Sequence, residues 1–448
     1  MRRTTRALAV TTTAALALGL AACSPSGTAD GRTPVQQAVP TGGKKPAKPV
    51  TLTYQTSFLP EAALREALTA FEKANPGVKV ELRVLDESGY HARLPKDLAV
   101  DKAADVVGLR IPAMTPEIRD RLRPVADWKD TVSADWLDEL DETAIDRTEK
   151  AARNGKLYAV PMGSSGGAVM YYNAGLLSEL GMSFPKRAAD LETIVRRLKR
   201  ELPDVQPVVF SGEPRRQEEL LFTLAGQTDP DLSDELLAGR GKWNGPGMVS
   251  ALTAYGSLFE RGVLARSALK LKGDRPAELF RSGKALFLVD DSRQSTMLSA
   301  SHRKTGKISV KNVGAGPFPT ILPDAEPAVR STPEVGLAVT RSSKHVAEAA
   351  ALVEFLTVGD GVSAWAKDLT MVPAREGFRV ESSTFATPEG KKGYTAIEEL
   401  VRDGDSANVP DTVFLERAEG EIILDVAHGR LTARKAADRL QKEWSRGQ

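Results

Sequence analysis

Apolar and polar residues follow two regular patterns in the stretch that begins at residue 50. Val50–Tyr54 and Val78–Leu85 are apolar at alternating positions, which is typical of half-buried β-strands. Between them, apolar residues recur every three or four positions over Glu61–Lys73, and Asn75-Pro-Gly77 follows. This spacing predicts an amphipathic helix that ends at the Pro-Gly pair. The order of the elements predicts a β-α-β unit.

The alternation of strands and helices continues along the chain. Asp105–Arg110 has the pattern of a short buried strand, and Ala168–Asn173 and Ala285–Val289 have the pattern of later strands. Strands that alternate with helices predict an α/β fold with largely parallel sheets. About 400 residues follow residue 49, which is too many for one ordinary hydrophobic core, so we expect two domains.

The first 22 residues have the layout of a secretory signal peptide. Arg2, Arg3 and Arg6 precede the apolar run Ala7–Leu20, and small residues lead to Cys23. The apolar run has 14 residues, which is short of the roughly 20 that span a bilayer. We therefore expect this segment to be removed and the mature protein not to be an integral membrane protein.

The cleavage region Leu20-Ala-Ala-Cys23 resembles the lipobox of bacterial lipoproteins, and Cys23 is the only cysteine in the chain. The resemblance implies that Cys23 is lipidated and becomes the new N-terminus, which would anchor the protein to the outer face of the cell membrane. Residues 23–49 are rich in Ser, Thr, Pro, Gly, Ala and Lys, a composition that predicts a flexible tether. With no second cysteine, the folded part can form no disulfide.

Charge and motifs exclude several functions. The chain has a formal net charge of +2, and roughly −4 remains on the folded part without signal peptide and tether. That balance argues against nucleic acid as a partner, which would need a basic face. The four histidines are scattered and form no close pair, so the sequence predicts no zinc site. It also has no glycine-rich phosphate loop, so we expect no ATP hydrolysis by this chain. We expect neither a metal nor a cofactor.

Ten segments in order resemble the extracellular solute-binding proteins of family 1, the maltose-binding-protein-like group. Val50–Tyr54 and Phe71–Glu81 resemble the first strand, helix and second strand of that family. The order and spacing of the segments carry the resemblance, which covers nearly all of the chain after residue 49. The other matching segments are Ala104–Val107, Gly155–Pro161, Met170–Asn173, Phe280–Ala285, Gly316–Pro319, Gly336–Val339, Ala349–Leu356 and Trp365–Lys367.

The resemblance implies a two-lobed periplasmic-binding-protein-like fold with a ligand cleft between the lobes and chain crossovers that join them. It implies an N-terminal lobe of residues 50–162 and 334–372, and a C-terminal lobe of residues 163–333 and 373–448. The resemblance implies a small solute as the ligand, and we expect a carbohydrate. By the same resemblance, hinge closure presents the ligand to the permease subunits of an ABC-type importer. We expect a monomer.

Candidate ligand contacts follow the predicted strands, because ligands of open α/β sheets bind beyond the carboxyl ends of the strands. In the first lobe they are Gln55, Ser57, Tyr90 and Arg110. A tyrosine ring can cover a sugar face, and arginine makes forked hydrogen bonds to hydroxyls or anions. Turn formation and helix capping are the alternative roles of the polar candidates.

The second lobe offers candidates at the crossover, after two predicted strands and at Phe414. Two alternatives stay open there: Asp291 and Arg293 could pair with each other, and Arg215 and Arg216 could belong to a solvated helix face. Many relatives carry tryptophan where this chain has Ser292-Arg293, which leaves room for a smaller, more polar or anionic solute. The candidates are Ser164, Ser165, Arg215, Asp291, Arg293 and Phe414.

Two other functions compete with solute transport. Gly163-Ser-Ser-Gly-Gly167 fits the G-x-S-x-G pattern of a hydrolase with Ser165 as nucleophile. That pattern needs a helix after the serine, whereas Ala168–Asn173 is predicted to be a strand, so we expect that the protein is not an enzyme. A lipoprotein of the same fold with a sensor or surface role, and no transport, remains an alternative.

Overall fold

The computed structural model describes residues 48–237, 239–306, 308–322, 324–404 and 413–447. The predicted signal peptide, Cys23 and nearly all of the predicted tether lie outside the described residues. Among the described residues, no helix is both long enough and apolar enough to cross a membrane.

Ten strands are described, and they form two sheets. The first sheet has the strand order β10-β4-β9-β3-β1-β2, and the second has the order β6-β7-β5-β8. The strands are β1 Val50–Thr56, β2 Val78–Val84, β3 Val106–Arg110, β4 Val160–Gly167, β5 Val169–Asn173, β6 Gln206–Phe210, β7 Ala285–Asp290, β8 Val313–Pro317, β9 Arg330–Val339 and β10 Val372–Pro373.

Helices pack on both sheets. The α-helices are α1 Glu61–Ala74, α2 Glu87–Ala99, α3 Ile111–Ile118, α4 Glu142–Ala151, α5 Ala174–Glu179, α6 Ala188–Glu201, α7 Pro214–Thr228, α8 Leu232–Leu237, α9 Pro246–Glu260, α10 Arg275–Arg281, α11 Ala300–Thr305, α12 Val346–Thr357, α13 Gly361–Ala366, α14 Pro388–Asp403, α15 Val413–Ala427 and α16 Ala433–Gly447. Short 3-10 helices are Arg119–Arg121, Val125–Asp127, Lys129–Thr131, Trp136–Glu139, Arg266–Lys270, Ser292–Leu298 and Ser382–Thr384.

The predicted β-α-β start is confirmed. β1 pairs in parallel with β2 and β3, and α1 buries Leu64, Leu68 and Phe71 against the sheet. Burying side chains of this size contributes roughly 1.5–3 kcal/mol each. The chain turns after α1 at Gly77, whose φ of 102° is one that residues with a side chain rarely adopt.

The prediction of largely parallel sheets is wrong, because both sheets are mixed. In the first sheet β9 runs antiparallel to β3 and β4, and β10 runs antiparallel to β4. In the second sheet β5 runs antiparallel to β7 and β8. The reason is that the chain reaches β9 only after it has passed through the second sheet. Parallel neighbours are instead joined by a crossover helix within one sheet.

The chain passes between the sheets at strands that lie side by side. β4 in the first sheet leads directly into β5 in the second, and β8 is followed by β9 back in the first. β4 pairs with both β9 and β10. A Cβ atom at Gly163 would lie 2.5 Å from the carbonyl oxygen of Val372 on β10, so the strands approach this closely because Gly163 has no side chain.

Each sheet contributes to a large hydrophobic core. One core includes Leu52, Phe71 and Leu337 around the first sheet, and another includes Phe210 and Phe287 around the second. Four of the five tryptophans are almost completely buried in these two cores, and the fifth, Trp444, is partly buried against Trp243. The buried four are Trp128, Trp136, Trp243 and Trp365.

Candidate ligand-binding site

The carboxyl ends of β1 and β3 meet at one edge of the first sheet, as parallel neighbours must. Arg110 ends β3, and its Nη2 atom lies 2.8 Å from Glu87 in the first turn of α2 and 3.0 Å from Glu334 on β9. Gln55 is buried near the end of β1, and Ser57 follows that strand. We call the side chains at this end of the sheet the first edge.

Tyr90 belongs to the core and is not presented to a ligand in this structure. Its ring is fully buried. Its hydroxyl donates to the carbonyl of Gly108 at 2.6 Å and to the carbonyl of Gln55 at 3.1 Å. Burial raises the pKa of Tyr90 well above its ordinary value, with a smaller contribution from Tyr54. The side chain ties α2 to β1 and β3, because this position of the helix faces the sheet.

Ser164 and Ser165 lie on β4 at the crossing. Ser164 pairs with β9 and β10, and Ser165 donates its hydroxyl to Glu334 Oε2 at 2.9 Å. Strand β5, and not a helix, follows this segment. The arrangement required of a serine nucleophile after a strand is therefore missing, and the glycine-rich run is part of a paired crossing strand.

Glu334 brings the two sheets together, although it was not among the residues predicted from the sequence. The residue is 4% exposed, and Arg293 from beyond β7 places Nη1 3.8 Å from its Oε1 atom. Burial acts to raise the pKa of Glu334, but Arg293, Arg110, Arg215 and the Ser165 hydroxyl hold it below the ordinary value. A single carboxylate directly before the apolar run Val335–Val339 was the available sequence signal.

The loop after β7 carries a buried carboxylate with two arginine partners. Asp291 Oδ2 accepts from Arg293 Nε at 2.8 Å and from Arg216 Nη1 at 2.6 Å. Its Oδ1 accepts the backbone N–H of Arg293, and Ser292 Oγ accepts the backbone N–H of Gly166 on β4 at 2.9 Å. The alternative in which Asp291 and Arg293 pair with each other is thus confirmed.

The start of α7 adds a further group of charges beside Asp291. Arg216 also lies 2.7 Å from Glu219 and 3.3 Å from Asp290, and Arg215 lies 3.3 Å from Glu219. The side chains of Arg215 and Arg216 are 38% and 21% exposed, and both contact the buried Glu219, so this helix face is only partly solvated. Glu219 and Asp290 were not among the residues predicted from the sequence. We call the group made by the start of α7 and residues 290–293 the second edge.

Adjacent aspartates on the second edge have pKa values shifted in opposite directions. Burial raises the pKa of Asp290 to about 7, with Arg216 opposing and the neighbouring Asp291 adding to the rise. Burial also acts on Asp291, but Arg216 and Arg293 outweigh it and hold its pKa well below the ordinary value. The two guanidiniums contact Asp291 more closely, so Asp291 carries the charge.

The carboxylates of Asp291 and Glu334 are buried, while the arginines paired with them are more exposed. The side chain of Asp291 is 5% exposed and that of Arg293 is 28% exposed. Each guanidinium is held by at least one carboxylate, and a guanidinium has five N–H donors, which suit hydrogen bonds to hydroxyl oxygens. Among the described residues, no group of His, Cys, Asp or Glu could hold a metal ion. The side chain of Phe414, also expected at the site, lies outside the described residues.

Comparisons with known proteins agree with this architecture. A family model described as "Bacterial extracellular solute-binding protein" matches residues 56–358, more than half of the chain. A search of curated proteins finds no significant match.

Solved structures with the same fold match nearly end to end. A structure from Caldanaerobius polysaccharolyticus, described with xylan utilization, has a TM-score of 0.71 at 17% identity and covers 88% of this chain and 99% of that chain. An ABC substrate-binding protein from Listeria monocytogenes in complex with cycloalternan gives 0.69 at 20% identity, covering 88% and 97%. A maltose-bound protein from T. maritima gives 0.66 at 18% identity, covering 88% and 98%. At these identities the matches establish the mixed α/β, periplasmic-binding-protein-like fold.

Proposed function

This chain belongs to the bacterial extracellular solute-binding protein family, and we propose that it captures a carbohydrate outside the cell and delivers it to an ABC-type importer. The observation that carries the proposal is the meeting of Arg110, Glu334 and Arg293, which brings side chains of both edges together at the chain crossing. Members of this family bind solutes and are not enzymes. The complexes with cycloalternan and maltose support a sugar as cargo.

The charge of the site favours a neutral sugar over an anionic solute. Four arginines on the two edges face five carboxyl groups, and even with a proton on Asp290 the four others balance the arginines, so no positive charge is left over for an anion. An anionic solute would have to displace a buried carboxylate from its guanidinium, and breaking such a pair is costly. A neutral polyol needs only hydrogen bonds from the guanidiniums and does not displace a carboxylate. The four arginines are Arg110, Arg215, Arg216 and Arg293, and the five carboxyl groups are those of Glu87, Glu219, Asp290, Asp291 and Glu334.

Capture would proceed by hinge closure about the chain crossings. The lobe boundaries given above, 50–162 with 334–372 and 163–333 with 373–448, stay a prediction. A solute stabilises the closed form only to the extent that it binds that form better than the open one. Contacts to both edges supply such a difference, because a solute bound to one edge alone gains nothing from closure.

Anchoring through a lipidated Cys23 is the other part of the proposal. It is supported by the signal-like N-terminus and by membership of an extracellular family. The mass of the mature N-terminal peptide tests it, since acyl chains on Cys23 add a defined mass. An unmodified cysteine would contradict this part alone.

Thermal unfolding of the mature protein with a panel of solutes tests the binding function. The panel contains neutral mono- and oligosaccharides, polyols, sugar phosphates, amino acids and polyamines. A solute at 100 times its dissociation constant stabilises the native state by about 2.7 kcal/mol, which raises the midpoint by a degree or more. We expect a shift with neutral sugars. A shift only with sugar phosphates would contradict the charge argument, and no shift at all would favour the non-transporting lipoprotein.

A further inference from the structure

The contacts of Glu334 are uneven in a way that separates the two sheets. Ser165 and Arg110 belong to the same sheet as Glu334 and lie within 2.9 and 3.0 Å of its carboxylate oxygens. Arg293 belongs to the other sheet and is the looser partner, at 3.8 Å. The first two contacts therefore persist when the sheets move apart, whereas the third depends on how the sheets approach each other.

Arg293 is oriented so that one of its nitrogens remains for Glu334. Asp291 holds Nε at 2.8 Å and Nη2 at 2.7 Å. The guanidinium is planar and rigid, so these two bonds fix the direction of the third nitrogen, Nη1. That atom is the one nearest to Glu334. The second edge thus presents a preset donor to a carboxylate on the crossing strand.

We propose that Glu334 is a positioning residue that couples the two edges: it orients Arg110 toward the solute and receives Arg293 Nη1 when the lobes close. This inference rests on the proposed function, since it describes how closure arranges that same site. Glu334 is buried, and its contacts with Ser165 and Arg110 hold it in place from its own sheet. It is therefore a fixed acceptor for Arg293 of the second edge. A purely structural ion pair would stabilise the fold without affecting solute affinity.

The test compares Glu334→Gln with a matched control in the mature protein. Glu398 on α14 is also 4% exposed, and it lies between Arg379 at 3.2 Å and Arg402 at 3.3 Å, neither of which belongs to either edge. Calorimetry would use the sugar that gives the largest thermal shift. We expect Glu334→Gln to weaken binding by about tenfold or more and Glu398→Gln by less than about twofold. Equal affinities of the Glu334→Gln variant and the unsubstituted protein would overturn the proposal.

A double-mutant cycle with Arg293→Gln tests the coupling itself. If Glu334 acts through Arg293, the double variant loses no more affinity than the weaker-binding single variant. If the two residues act independently, the fold-losses in affinity of the single variants multiply in the double variant. Multiplied losses would overturn the proposal. If Glu334→Gln does not fold, Glu334→Asp keeps the charge, shortens the reach and takes its place in the cycle.

The failure of the proposed function would be visible separately. If the unsubstituted protein binds none of the sugars, the same cycle is measured by thermal unfolding of the unliganded protein. If the changes in unfolding midpoint caused by the two substitutions are not additive, the result would support the Glu334–Arg293 link even without a sugar ligand. Additive effects would overturn the link as well.

Discussion

The first and second edges differ in how completely their polar atoms are paired. On the second edge, Asp291 and Glu219 hold three guanidiniums in a continuous network. On the first edge, Ser57 Oγ and Arg110 Nε are buried and have no hydrogen-bond partner among the described residues, and the same holds for Glu334 Oε1 on β9. A buried polar atom without a partner is costly. The contrast indicates that the second edge is preorganised by its own charges, whereas the first edge leaves part of its hydrogen-bonding capacity unused.

The largest expected effect is on the second edge. Asp291→Ala would leave Arg216 and Arg293 without their shared carboxylate, and removing one partner of a buried ion pair typically costs about 3–5 kcal/mol. We expect a loss of that size in the free energy of unfolding by urea. Asp146→Ala on α4 is the control, since Asp146 pairs with Lys150 on the surface and such pairs contribute about 0–1 kcal/mol. Similar losses in the two variants would mean that the second edge is not a tightly coupled network.

An intermediate effect concerns pH. The folded protein holds a proton on Asp290 up to about pH 7, whereas the ordinary pKa of an aspartate is 3.8. Because the folded form binds this proton more tightly than the unfolded form, the proton stabilises the folded protein at low pH. This contribution is lost as the pH rises from about 4 to about 7. The stability of the unsubstituted protein relative to Asp290→Asn should therefore fall with pH across that range, by at most about 1.4 kcal/mol per pH unit. Urea unfolding at several pH values measures this difference, and parallel profiles would contradict it.

The smallest effect is expected on the first edge. The side chain of Glu87 is 50% exposed and lies 2.8 Å from Arg110. Glu87→Gln should change the free energy of unfolding by only about 0–1 kcal/mol, because solvent screens the pair. Arg110 also keeps Glu334 as a partner. A loss as large as that of Asp291→Ala would remove the contrast between the two edges.

Local patterns in the sequence predicted strands β1, β3 and β7 beside the site, and they gave the pairing of Asp291 with Arg293 as one of two alternatives. These features depend on neighbouring residues, whose spacing the sequence shows directly. The contact between Ser165 and Glu334 joins residues 169 positions apart, and no local pattern contains such a distance. The orientation of Tyr90 could not be predicted from the sequence either, because it depends on which side of α2 packs against the sheet.

The placement of the tryptophans has a consequence for spectroscopy. Trp128, Trp136 and Trp365 report on the core around the first sheet, and Trp243 and Trp444 report on the core around the second. None of them is at either edge, so their intrinsic fluorescence should respond strongly to unfolding and little to a bound sugar. Variants that retain the tryptophans of only one core would reveal whether the two halves of the chain unfold together or one after the other.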